Sequence, residues 1–192
     1  MSNIAKPARS LRNLYFTRTV VQLSWAALLA MTAVRPHASA ALLIFYPLWD
    51  VACTLYDLKT SGRAESARTP QIFNALLGLI TAVTIGLTVS TQPGYSIAAF
   101  GVWALVAGVF QLLSGLIRRK ALGGQWAMIL SGAQSTLAGA AFVLGGLSGK
   151  FHAKDLGGYA VFGGVYFLIA GVLLSRKLSQ LPSTENDAQV AH

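Results

Sequence analysis

From Gly94 to Ile117 the chain reads GYSIAAFGVWALVAGVFQLLSGLI, with no charged residue, and Arg118, Arg119 and Lys120 follow at once. A bilayer core needs about 20 consecutive apolar residues in helical form. This run is long enough, and cations at its end suit the headgroup layer. Glycines recur along it every seventh residue, at Gly94, Gly101, Gly108 and Gly115. A seven-residue period keeps them on one side of a helix. In lipid, helices associate by close packing and hydrogen bonds, and small residues permit the close approach. The stretch therefore predicts a transmembrane helix with a packing groove.

The same pattern returns at Gly157, Gly164 and Gly171, and GVWALVAGV (101–109) lies on GVYFLIAGV (164–172) at an offset of 63 residues. A second offset, 54 residues, aligns Gln71 with Gln125, Leu76 with Leu130 and Gly78 with Gly132. Two helical hairpins thus form one repeated unit, and the apolar runs before residue 60 supply a third, worn copy in which Tyr46 is aligned with Trp103. The expected fold is all-α: a polytopic membrane protein of six transmembrane helices built as three helix-hairpin repeats. Its spans are 15–34, 39–58, 71–91, 95–117, 125–147 and 158–175. A cytoplasmic tail covers 1–14, the membrane domain 15–177, and a disordered cytoplasmic tail 178–192. Thr69 before Pro70 suits a helix N-cap, and Gln92-Pro93-Gly94 a short turn.

Only 11% of the residues are charged and 54% are hydrophobic, whereas soluble domains carry about 25% charge. The net charge of +9 does not point to nucleic acid, because the cations flank apolar runs and no aromatic patch is interleaved with them. All of the fifteen Lys and Arg residues except Arg35, Lys150 and Lys154 fall on one side of the six-span topology. The positive-inside rule places that side, with both termini, in the cytoplasm. Arg18 is expected to snorkel to the headgroups. A competing reading takes the first apolar run and Ala38-Ser39-Ala40 as a signal peptide with its cleavage site.

In span five, Ser131, Ser135 and Gly139 form a ridge of small residues. With Gly101, Gly108, Gly115, Gly164 and Gly171 they are the expected helix-packing positions. At this point the chain resembles the HdeD-like membrane proteins, through GVWALVAGVFQLLSGLIRRK, GGQWAMILSGAQSTLAGAAFVL and GVYFLIAGVLLSRK. The resemblance implies a six-helix bacterial inner-membrane protein of repeated helix pairs, a stress-related (acid) role, and no catalytic residues to carry over. The expected partners are the lipid bilayer and a membrane-protein partner or a second copy of the chain.

Chemistry concentrates in YPLWDVACTLYD (46–57). Tyr46, Asp50, Thr54 and Asp57 follow helical spacing and share a face. An acid within a span is a functional candidate by default. Asp57 is expected to reach water as a port, Asp50 to be the interior site without a counter-ion at its depth, and Tyr46 to be a relay. The structural alternative binds Asp50 to Gln22, Ser24, Asn74, Gln111 or Gln134. Spans three to six are expected to hold no interior charge. Cys53, the only cysteine, forms no internal disulfide and is read as a packed apolar residue. His37, His152 and His192 are read as exposed loop residues. No metal or cofactor site is expected, and no metalloprotease, hydrolase or P-loop motif occurs. The reading is a non-enzyme, with a proton or small-solute conduit through Asp50 as the alternative to partner packing.

Overall fold

The computed structural model describes residues 2–32, 35–60, 68–122 and 125–180. They form six helices: α1 (Ser2–Met31), α2 (Pro36–Thr60), α3 (Arg68–Thr88), α4 (Pro93–Leu122), α5 (Trp126–Leu147) and α6 (Leu156–Ser179). A 3-10 turn (Ala153–Asp155) leads into α6. Five helical segments, Pro36–Thr60, Gln71–Thr88, Pro93–Arg119, Trp126–Leu147 and Ala153–Ser179, are long and apolar enough to cross a membrane. The chain is a multi-pass helical membrane protein by that measure. Several helix starts follow local chemistry. Pro36 and Pro93 open α2 and α4, where a missing N–H costs nothing. Gly149, with φ 69°, ends α5 in the left-handed conformation that favours glycine.

One expectation changes, the Thr69 cap, and two segments gain detail. The segment expected as a tail, with an interfacial helix as the other possibility, is the first half of α1, which is one helix from Ser2. At 1.5 Å per residue its 30 residues reach about 45 Å, longer than a bilayer core of about 30 Å. The apolar half of α1 carries Arg18 and Gln22, and α1 is not among the plainly apolar spans. Helix α3 starts at Arg68, so Thr69 is inside it rather than its cap. The Ala38-Ser39-Ala40 motif lies within α2, where Ser39 Oγ donates to the Thr32 carbonyl at 2.8 Å. The tail expected at 181–192, with His192, and most of the 59–70 loop lie outside the described residues.

Each helix packs on its neighbours in the chain, and α6 packs on α1, so the six close into a ring. The tightest contacts are α4 with α5, α6 with α1 and α2 with α3. Glycine explains the first. On α4 and α5, running antiparallel, Gly94 meets Gly146, Gly101 meets Gly139 and Gly108 meets Gly132. A Cβ on Gly101 would lie 2.6 Å from Val143 N, and one on Gly108 2.6 Å from Thr136 N. Gly115, further along, rests on Ile129. Gly164 and Gly171 do the same work against α1, but face Leu23 and Phe16 instead of glycine, and the approach is looser. Gly78 on α3 meets the Pro47 carbonyl and Val51, as Gly132 meets the Gly108 carbonyl and Leu112. In the ridge expected in α5, Gly139 and Ser135 lie in the α4 seam, and Ser131 and Ser135 also line an interior cavity.

Candidate functional site

The interior of the ring is apolar at both ends and polar between them. At one end all six helices contribute to a core of Trp25, Leu29, Tyr46, Ile85, Phe100, Trp103, Phe142 and Leu156. Its rings make edge and tilted contacts, with Tyr46 and Trp103 centroids 5.6 Å apart and Phe100 and Tyr159 6.1 Å apart. Edge-to-face geometry suits the quadrupoles of aromatic rings. At the other end Leu11, Tyr15, Ala127, Met128, Phe167 and Leu174 form a second core.

Between these cores is a partly open cavity of about 100 Å³, lined by residues from every helix, among them Leu11, Asp50, Gln71, Gln111, Gln125 and Phe167. A smaller cavity of about 30 Å³ continues toward the aromatic core and shares Arg18, Asp50 and Gln111 with the first. Helical spacing brings the polar groups here. Ala8, Leu11, Tyr15, Arg18, Gln22, Trp25 and Leu29 recur at three or four residues and turn the same face of α1 inward.

Two ion pairs define the site. Arg18 Nη2 lies 2.9 Å from Asp50 Oδ1, and both side chains are about 15% exposed. The Arg18 guanidinium also sits 5.0 Å from the centre of the Phe167 ring, a cation–π contact. Asn74 donates its amide to Asp50 Oδ2 at 2.8 Å and to Thr54 Oγ1 at 3.3 Å. Seven residues further along α2, about 10 Å by helical rise, Asp57 pairs with Arg118 and accepts a hydrogen bond from Gln71 Nε2 at 2.9 Å. Nearby, the Tyr15 hydroxyl donates to Gln125 Oε1 at 3.2 Å. On the aromatic side the Ser135 and Tyr159 hydroxyls are 3.1 Å apart.

The expected face of α2 is thus assembled: Asp50, Thr54 and Asp57 line the larger cavity, and Tyr46 with Asp50 lines the smaller. One expectation is overturned and three details are added. Asp50 has a counter-ion, because Arg18 turns inward instead of snorkelling. Asp57 is 7% exposed and meets the outside only through the partly open cavity, paired with Arg118. Arg118, just past the span expected at 95–117, lies in the last turns of α4 and turns inward to Asp57. Tyr46 packs among aromatic rings, 4.4 Å from Trp25 by centroids, and lines the smaller cavity with Asp50. Sequence reasoning also passed over Gln71. The signal for Arg118 was present: Gln111, Ser114 and Arg118 follow helical spacing and all line the cavity. The structural alternative for Asp50 named Asn74, which is the partner observed.

Cys53 is buried and unpaired with another cysteine. His37 is exposed, and His152 stands 3.9 Å from Asp155 with its side chain 70% exposed. Among the described residues no group of three or more His, Cys, Asp or Glu side chains is placed to hold a metal ion. No protein family, curated protein or solved structure matches this chain.

Proposed function

We propose that this is a non-enzymatic, HdeD-like protein of the bacterial inner membrane, and that its working part is a proton or small-solute conduit through the polar interior, with Asp50 at its centre. One observation carries the reading: a cavity lined by all six helices contains two buried ion pairs. Charged groups within a membrane domain are costly and mark pathways and coupling sites. The alternative role, packing against partner proteins through the glycine grooves, loses its main support. Gly94, Gly101 and Gly108 are consumed by α5, and Gly164 and Gly171 by α1.

In this reading α1 is the sixth span, tolerated because Asp50 neutralises Arg18 inside the ring. The three tight interfaces, α2 with α3, α4 with α5 and α6 with α1, are the ones that a three-hairpin repeat would make equivalent, which supports the repeat. Both termini are assigned to the cytoplasm by the distribution of Lys and Arg. The cavity at Asp57 and Arg118 then faces the cytoplasm, and the aromatic core closes the outer side. Passage requires those rings to part. The stress-related role that the HdeD-like resemblance implies is the setting in which the conduit would act.

The test is flux through liposomes containing the full chain. A pH step with an internal dye reads protons, and osmotic swelling reads solutes. Flux above protein-free liposomes that is lost in Asp50→Asn supports the reading. The double variant Arg18→Gln/Asp50→Asn, which leaves no unpaired charge, separates loss of the pathway from loss of the fold. Rates for every species equal to those of protein-free liposomes would sink it.

A further inference from the structure

The residues lining the two cavities leave both acceptors and donors without protein partners, the donors being the Trp49 and Trp103 indole N–H groups of the smaller cavity. Asn74 gives its NH₂ to Asp50 and Thr54, and Gln71 gives its NH₂ to Asp57. A carboxylate oxygen in an ion pair only accepts, so the nitrogen of each amide must face it. The carbonyl oxygens of Asn74 and Gln71 are then left over, and neither meets a protein donor. Gln22 Oε1 is also without a donor. It lies 2.8 Å from the position a Cβ on Gly163 would take, and Gln22 and Gly163 both line the smaller cavity. Asn74 is 8% exposed and Gln22 7%. A buried acceptor left unsatisfied costs about 1–3 kcal/mol. Three of them along one path, with the Trp49 and Trp103 N–H groups in the smaller cavity, point to a guest that brings donors and also an acceptor, as an amide does.

The charges set a second condition. Arg18 faces Asp50 and Arg118 faces Asp57, so the path is balanced at each pair. An anion would meet two carboxylates and a cation two guanidiniums. Either could gain a partner only by breaking a buried pair. A fixed guanidinium on a narrow path also raises a barrier to cations and protons. An uncharged molecule with several N–H donors meets neither obstacle. Size agrees: about 100 Å³ holds about three waters at roughly 30 Å³ each, or one solute of a few heavy atoms.

We infer that the chamber takes a small uncharged solute of the amide or urea class, which donates to the carbonyl oxygens of Asn74, Gln71 and Gln22 between the two ion pairs. The inference rests on the conduit reading and narrows it from protons or solutes to neutral N–H donors.

The experiment uses liposomes containing the full chain, shocked with urea or acetamide and followed by light scattering as they re-swell. Sucrose shock reads water, and internal dyes read protons and potassium. The variants are Asn74→Leu, which removes an acceptor, and Gly163→Ala. The added methyl of the second meets only the far end of the Gln22 side chain, so it leaves the fold intact and drives the amide into the smaller cavity. Expected are urea and acetamide rates at least tenfold above protein-free liposomes, reduced severalfold in Gly163→Ala, with potassium and proton leak unchanged. Proton or ion flux with urea at the background rate overturns the inference and leaves the conduit reading standing. Water flux alone does the same. Background rates for every species overturn both. Urea flux that Gly163→Ala and Asn74→Leu leave unaltered overturns the placement on these carbonyls. Should Asn74→Leu fail to fold, Gly163→Ala decides alone.

Discussion

Replacing Gly108 by alanine adds one methyl group to the α4–α5 seam. That methyl would lie 2.6 Å from Thr136 N, and 2.8 Å from both Gly132 O and Ser135 Cβ. Ordinary contact begins at 3.4 Å, so the helices must part by about 0.6–0.8 Å at this point, and a gap of that size forfeits about a quarter to a half of each dispersion contact it opens. Two of the three neighbours are backbone and cannot rotate away. Forcing a methylene into a tight interface costs about 1–3 kcal/mol, and the upper end applies here. Alanine in place of glycine returns about 1 kcal/mol of helix propensity. The net loss is about 2 kcal/mol, a factor of about 30 in the folded ratio. Gly158→Ala is the control: nothing lies within 4 Å of its Cβ, so only the propensity gain remains. Gly171→Ala falls between them, because its methyl meets the Phe16 ring at 3.0 Å and the ring can turn. The assay is reversible unfolding in mixed micelles by SDS titration, followed through the fluorescence of buried Trp25 and Trp103. Equal midpoints for Gly108→Ala and Gly158→Ala would refute the account of the seam.

Breaking the Arg18–Asp50 pair from one side, as Arg18→Leu or Asp50→Leu, is expected to cost about 3–5 kcal/mol. The double variant should cost clearly less than the two losses added together, and additive losses in the same unfolding assay would show that the pair is not coupled. Topology is tested on a Cys53→Ala background with single cysteines at the exposed positions Ser148 and Ser179. A membrane-impermeant maleimide should label Ser148→Cys on intact cells and Ser179→Cys only after permeabilisation; the opposite order would invert the proposed orientation.

The helical class and the glycine groove could be read from the chain because both are local. Apolar length fixes a helix, and a period of seven fixes one face of it, whatever that helix packs against. The partner of the face was not local. Gly94, Gly101 and Gly108 find Gly146, Gly139 and Gly132 in one antiparallel register, and no property of either helix alone specifies that register. Ser131 and Ser135 serve two purposes for a similar reason. They sit a few residues from Gly132 and Gly139, and small side chains serve equally to admit a neighbouring helix and to leave room for a cavity.

The charges illustrate the limit more sharply. Asp50 stood out because an acid in an apolar run has no bland explanation, but a basic residue near the end of a span does have one, and Arg18 and Arg118 fitted the positive-inside pattern. Counting them as headgroup anchors used up the two cations that the site needed. The inward face of α1, Ala8 through Leu29, already carried Arg18 in phase with Tyr15, Gln22 and Trp25. A snorkelling arginine would have been out of phase with the buried residues. Phase is therefore the better discriminator: a cation that shares its helical face with buried aromatics and glutamines belongs to the interior, and the acid seeking a partner should be matched to it first.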